Sequence, residues 1–243
     1  MSTDTTTTNN QGKQPGGLVH YLRQGWLIIV LAVIYGVCLA GVQIGLGPRI
    51  EANLVRKRLR SIPELFTPAE AVPADGVQVE TIQETTIGAR SGHAIESNVG
   101  TFQAVTETIE LDGTAVELTR VLDADGRHVG WLVPAAGPGY ADVIRLLIAV
   151  DREVETIKGI YILSQKETPG LGNKIVTQQF RANFDNIPAT DELTVVTDAS
   201  RKPTEIEAIA SATVSSKAVT DIVNKALANM RARILELNDA GQD

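Results

Sequence analysis

From Gln24 to Pro48 the chain reads QGWLIIVLAVIYGVCLAGVQIGLGP, without one charged residue. As a helix this run is long enough to cross a hydrocarbon layer of about 30 Å. Trp26 falls where an interfacial aromatic belongs. A buried core helix would carry a polar face, and a cleaved signal would have a shorter apolar core. The small-residue exit of Leu39 to Gly41 passes for a cleavage site, but the apolar run continues past it. An uncleaved anchor over 24–48 is therefore expected. Residues 1–23 ahead of it read as a disordered polar tail rich in Thr and Asn. Behind it, 49–72 reads as a stalk or linker helix. Ile50, Leu54, Leu59 and Ile62 share a stripe there, and Pro63 and Pro68 end the helix.

Residues 73–237 carry a different pattern, followed by a short tail over 238–243. AVPADGVQ is a turn or linker. Alternation begins at Thr101. TAVELTRVL and HVGWLVPAAG alternate on either side of DADGR, which predicts a hairpin. DVIRLLIAVD and VETIKGIYILSQ predict two more strands joined around DREVE. NKIVTQQFRANFDN has helical spacing through Ile175, Phe180 and Phe184, and LTVVTD reads as a strand. The last segment, from Ser215 to Asn238, is a long amphipathic helix with Val219, Ile222, Val223, Ala226, Leu227, Met230 and Ile234 on one stripe. Strands first and helix last predict an α+β domain: an antiparallel sheet with flanking helices, preceded by one transmembrane helix.

Composition narrows the function classes. A net charge of −7 over 243 residues argues against a nucleic-acid binder. The single cysteine, Cys38, excludes an intrachain disulfide and a cysteine-held cluster. His20, His93 and His128 show no ligand spacing, so no metal site is expected. No GxGxxG, no GxxxxGK[ST], no catalytic triad and no internal repeat occurs. Around the apolar run the basic residues are Lys13 and Arg23 before it, and Arg49, Arg56, Lys57, Arg58 and Arg60 after it. Counted alone, these place the C-terminal part in the cytoplasm, although a long domain can translocate despite such a bias.

Two stretches carry candidate chemistry. ETPGLGNK, residues 167–174, sets Pro169, Gly170 and Gly172 in a tight loop whose backbone can approach a ligand closely. A plain strand-to-helix turn accounts for PGLG equally well. Glu167 and Thr168 add groups that fix a loop or reach a polar ligand edge. EAIASATVSSKAV, residues 207–219, crowds Ser211, Thr213, Ser215 and Ser216 around the start of the last helix. Ordinary capping by Ser215 or Thr213 is one reading. A phosphate held by the free N–H groups of that first turn is the other.

Taken together, ETPGLG and the hydroxyl-rich helix start resemble the flavin-binding domain of the G subunit of Rnf-type electron transport complexes. They also resemble its relative, the C subunit of the sodium-pumping NADH:quinone oxidoreductase. The resemblance covers Gly139 to about Leu227 and the single anchor. GPGYADVIRLLIAVD is similar to the Rnf-type strand entry, which favours the first relative. The family pattern Asp-x-x-Ser/Thr-Gly-Ala-Thr falls on Glu207 to Thr213. Ala212 and Thr213 match. Glu207 stands for Asp, Ala210 for the hydroxyl residue and Ser211 for glycine. Gln165 stands where the family usually has His.

The resemblance implies FMN joined to Thr213 by a phosphoester, placed there by a separate flavin transferase. It implies cofactor contacts from Glu167, Thr168, Pro169, Gly170, Leu171, Gly172, Glu207, Ser211, Ala212 and Ser215. Lys166 and Lys174 flank the loop; a solvated lysine is one reading of each, and a partner for an anionic reduced flavin is the other. The function implied is electron relay inside an ion-translocating complex, with other membrane and peripheral subunits as partners and no independent catalysis. The implied location is the inner membrane, with the flavin domain on the periplasmic face. The C subunit of the quinone oxidoreductase and a tethered sensory module without redox relay are the alternatives. A stand-alone flavin reductase would need a donor site, for which the sequence offers no candidate.

Overall fold

A computed structural model describes residues 18–111, 113–197 and 202–240. Most of the expected N-terminal tail therefore lies outside the described residues, as do 241–243. The chain divides into two compact units, 1–52 and 53–243.

In the first unit, helix α1 (Leu18–Phe66) begins. Its segment Gly25–Gln43 is apolar and long enough to cross a membrane, and none of it is buried. Trp26, Leu31 and Tyr35 are all exposed, as lipid-facing side chains would be. Pro48 does not break the helix, and Pro63 lies inside it; α1 ends at Phe66, ahead of Pro68.

The second unit is built on an antiparallel meander. Its strands are β1 (Val79–Ile87), β2 (Arg90–Ser97), β3 (Gly100–Leu111), β4 (Thr114–Leu122), β5 (His128–Pro138), β6 (Val143–Asp151), β7 (Thr156–Ser164) and the short β8 (Ile187–Pro188). They pair in sequence order. The expected DADGR hairpin joins β4 to β5. Asp123 Oδ1 accepts from the N–H groups of Asp125 (3.0 Å) and Arg127 (2.9 Å), and Gly126 takes a positive φ of 79°.

β5 and β6 are buried on both faces, which explains why LLIAV runs on without alternating. Trp131, Val133, Leu146, Ile148 and Val150 point to one side, and Leu132, Leu147 and Ala149 to the other. The first side is covered by helix α3 (Thr213–Ala240) through Val219, Val223, Leu227, Met230 and Ile234. The opposite side is covered by the end of α1. Leu59, Ile62 and Leu65 pack there with Ile95, Ala104 and Val121. Each such Leu, Ile or Val side chain contributes about 1.5–3 kcal/mol when fully buried. The stretch expected to be a stalk thus supplies part of the domain's core.

The expected helix over 173–186 is instead three short turns: 3-10 turns at Gly172–Val176 and Ala182–Phe184, and α2 (Gln178–Arg181) between them. Thr177 is extended, at φ −69° and ψ 147°, and this interrupts the helix. Ile175, Phe180 and Phe184 still reach the core. The expected strand in LTVVTD is β9 (Thr194–Val196). It pairs in parallel with β10 (Glu205–Glu207), outside the main sheet. Asn224 of α3 pins its start, bonding both the N–H and the carbonyl of Leu193.

One polar stack closes the far end of α3. Trp131 is fully buried and donates its indole N–H to Asn238 Oδ1 at 3.2 Å. The Arg120 guanidinium lies 4.8 Å above its ring, and His128 meets it edge-on at 5.0 Å. Burial, aided by the charges of Arg120 and Arg152, pushes the His128 imidazole down to about 4; the Gly130 carbonyl on its Nε2 pulls weakly the other way. His128 is therefore neutral in the fold at pH values where the unfolded chain, near 6.5, already takes up a proton. This contribution to stability is complete above pH 6.5 and is lost as pH falls towards 4. Unfolding midpoints measured between pH 7 and 4 should fall less steeply in His128→Gln than in the wild type.

Candidate functional site

The loop after β7 is organised by its own sequence. Pro169 fixes one central position of a tight turn, and Gly170, at φ 77°, supplies the left-handed one. The Leu171 N–H donates to the Thr168 carbonyl at 3.2 Å and closes the turn. Asn173 Oδ1 accepts from the Gly170 N–H at 2.8 Å. Gln165 Oε1 accepts from the Glu167 N–H at 2.5 Å. Thr168, Pro169, Gly170 and Leu171 are exposed on this loop.

Glu167 turns inward and is only 4 % exposed. Its Oε2 accepts from Ser215 Oγ at 2.5 Å, and its Oε1 from the Ala141 N–H at 3.1 Å. Three segments thus meet on one carboxyl group: the turn between β5 and β6, the loop after β7, and the first turn of α3. Two glycines make the room. A Cβ on Gly139 would sit 2.5 Å from Glu167 Oε1, and one on Gly172 would strike Ser215 Oγ.

The start of α3 is unusual in its caps. The Ala212 carbonyl accepts the first helical bond, from the Ser216 N–H at 3.0 Å. Ala212 therefore occupies the N-cap position and has no side chain with which to cap. Ser216 Oγ accepts from the Ile209 N–H and donates to the Ala212 carbonyl, bracing the preceding turn. Ser215 spends its hydroxyl on Glu167. Neither Ser215 nor Thr213 caps the helix, and the N–H groups of Thr213, Val214 and Ser215 have no acceptor among the described residues. An unpaired first turn of this kind carries partial positive charge.

Ser211 holds a left-handed backbone, with φ 67°. This is the position where the sequence pattern calls for glycine, and the geometry gives the reason. Ser211→Gly is expected to raise the unfolding free energy by about 1 kcal/mol, read as a higher thermal midpoint of the purified chain.

Beside this helix start opens a cavity of about 670 Å³, within the range of cofactor sites. Its lining includes Thr213, Ser211 and Glu207 together with Lys174, Phe180 and Thr197. Thr213 and Ser211 are exposed, whereas Ala212 and Ser215 are buried beneath. The expected site residues therefore fall into three groups: those lining the cavity, those in the brace under it, and the exposed 168–171 turn. The role of Phe180 was hidden in the sequence, because a Phe at helical spacing reads as core. Ala141 was equally hidden, since it acts through its backbone. For a phosphorylated flavin these elements fit: a cavity of adequate volume, an exposed hydroxyl at its edge, and unpaired N–H groups beside that hydroxyl.

Comparison with known proteins finds a family match over the same part of the chain. The FMN-binding domain family matches residues 139–228. The chain is 33 % identical over 128 residues to the G subunit of the ion-translocating oxidoreductase complex of Methanosarcina acetivorans, covering 52 % of this chain and 65 % of that protein. It is 41 % identical over 101 residues to the G subunit of the proton-translocating ferredoxin:NAD(+) oxidoreductase complex of Clostridium ljungdahlii, covering 42 % and 53 %. The chain thus spans between half and two thirds of the length of these relatives. Among solved structures, Shewanella oneidensis NqrC superposes with a TM-score of 0.48 at 19 % identity, over 55 % of this chain and 69 % of that one. Residues 139–228 thus match the FMN-binding domain family, in a chain similar to the G subunits of ion-translocating oxidoreductase complexes.

Proposed function

We propose that this protein is a membrane-anchored flavoprotein subunit that relays electrons within an Rnf-type ion-translocating complex, with FMN esterified to Thr213. The carrying observation is the placement of Thr213. Its hydroxyl is exposed at the edge of the 670 Å³ cavity, at the first position of a helix whose leading N–H groups lack acceptors among the described residues. A phosphodiester there carries one negative charge, which the helix end favours.

A threonine hydroxyl is a weak nucleophile, so a flavin transferase makes the bond. Thr213 Oγ1 joins the FMN phosphorus of FAD, the pyrophosphate bond breaks, AMP leaves, and the hydroxyl proton passes to solvent. The segment from Glu207 to Val214, exposed at Ala210, Ser211 and Thr213, is the part such an enzyme can reach. When bound, FMN supplies one- and two-electron transfer. The chain's own residues do the rest. The 168–172 turn is held against α3 by Glu167 and Ser215, Phe180 gives the cavity an apolar wall, and the Gly25–Gln43 span anchors the whole. The domain faces the periplasm from the inner membrane, and the remaining subunits supply donor and acceptor.

The test is the mass of the intact full-length chain, made together with a flavin transferase. A gain of one FMN less one water, with fluorescence that survives denaturation, is expected. An unmodified mass and a colourless protein would overturn the proposal.

A further inference from the structure

Two lysines flank the 167–173 loop, and the structure separates them. Lys166 Nζ is 2.8 Å from Asp142 Oδ2, and that pairing pulls the Asp142 carboxyl below its usual range. Its charge is already answered. Lys174 makes no side-chain hydrogen bond and no ion pair among the described residues, yet it lines the same cavity as Thr213. Its backbone is pinned: the Lys174 carbonyl accepts from both Thr177 Oγ1 (2.7 Å) and the Thr177 N–H (2.9 Å). The ammonium is thus an unanswered charge on a side chain that leaves a pinned backbone. Among the described lining residues it is the sole cation, and Glu207 the sole anion.

We infer that Lys174 is a positioning and tuning residue, supplying the cation that the bound flavin group faces across this cavity. The inference rests on FMN being carried at Thr213. A cation in the wall stabilises whichever redox state carries more negative charge, so it raises the potential of the group beside it. It also draws the anionic flavin phosphate into the cavity during loading. Lys166 does neither, because Asp142 neutralises it.

The experiment uses the full chain loaded by a flavin transferase, in detergent, with the midpoint potential read by spectroscopic titration. Lys174→Gln should shift the reduction equilibrium about tenfold towards the oxidised form, or ~30 mV for a two-electron couple. Lys174→Arg should keep the wild-type value, and Lys166→Gln should leave it unmoved. Should Lys174→Gln fail to load, restored loading in Lys174→Arg supports the assignment, and failure to restore it rejects the assignment. A loaded Lys174→Gln protein with the wild-type potential overturns the tuning role while leaving flavin attachment at Thr213 intact. Wild-type protein that takes up no flavin overturns both.

Discussion

Thr213→Val, produced beside an active flavin transferase, is expected to emerge with the unmodified mass and no covalent fluorescence, yet fully folded. Valine matches threonine in shape and removes only the hydroxyl. Thr213 is exposed and its hydroxyl bonds nothing among the described residues, so the change in stability should stay within about 0.5 kcal/mol. Loss of flavin should nevertheless be complete, because no other hydroxyl of the 211–216 segment can substitute. Ser215 is 3 % exposed and committed to Glu167; Ser216 is fully buried and committed to the turn before the helix. Ser211 also lines the cavity, but it precedes the helix and holds a left-handed backbone. Thr213→Ser should retain the modification. Intact mass and in-gel fluorescence of the three proteins decide the matter. Flavin retained on the valine protein would place the ester elsewhere.

The parts of this fold visible from the sequence are those in which burial writes a period. The α3 stripe is legible because one face meets the sheet and the other meets water. The β4–β5 hairpin is legible because Asp123 and Gly126 do chemistry that only a turn requires. Strands β1 and β2 were not legible. β1, VETIQETTI, has no buried residue, and in β2 only Gly92 and Ile95 are buried. With only Val79, Ile82 and Ile95 packed on the core, these strands have too thin a buried face to declare. The 173–186 segment misled for the opposite reason. Ile175, Phe180 and Phe184 are buried at near-helical spacing, but three separate short turns deliver them. The end of α1 looked like a stalk, because a stripe of Leu54, Leu59 and Ile62 does not say what it packs on. At the candidate site, Thr213 and the 167–172 loop were singled out by motif. The bond that joins the loop to the helix start was not, since it links residues 48 positions apart.

That bond underlies the second large expectation, for Glu167. Removing its carboxyl in Glu167→Ala strands a buried hydroxyl, Ser215 Oγ, and takes the protein acceptor from the N–H of Ala141, an exposed residue. The stranded hydroxyl costs about 1–3 kcal/mol, and the emptied space between Gly139 and Gly172 adds a cavity term. A loss of roughly 3–4 kcal/mol is expected, a large share of a typical domain's stability. Glu167→Gln should lose much less, about 1 kcal/mol. Its amide oxygen still accepts from Ala141, and its NH₂ can donate to Ser215 Oγ in place of accepting from it. Thermal unfolding of the full chain in detergent measures the difference. Hydrogen exchange locates it: the Ala141 amide should lose protection in the alanine variant and keep it in the glutamine variant. Flavin loading should follow the same order, because Glu167 holds the 168–172 turn and the first turn of α3 in one register. Equal stability of the alanine variant and the wild type would show that Glu167 is no brace.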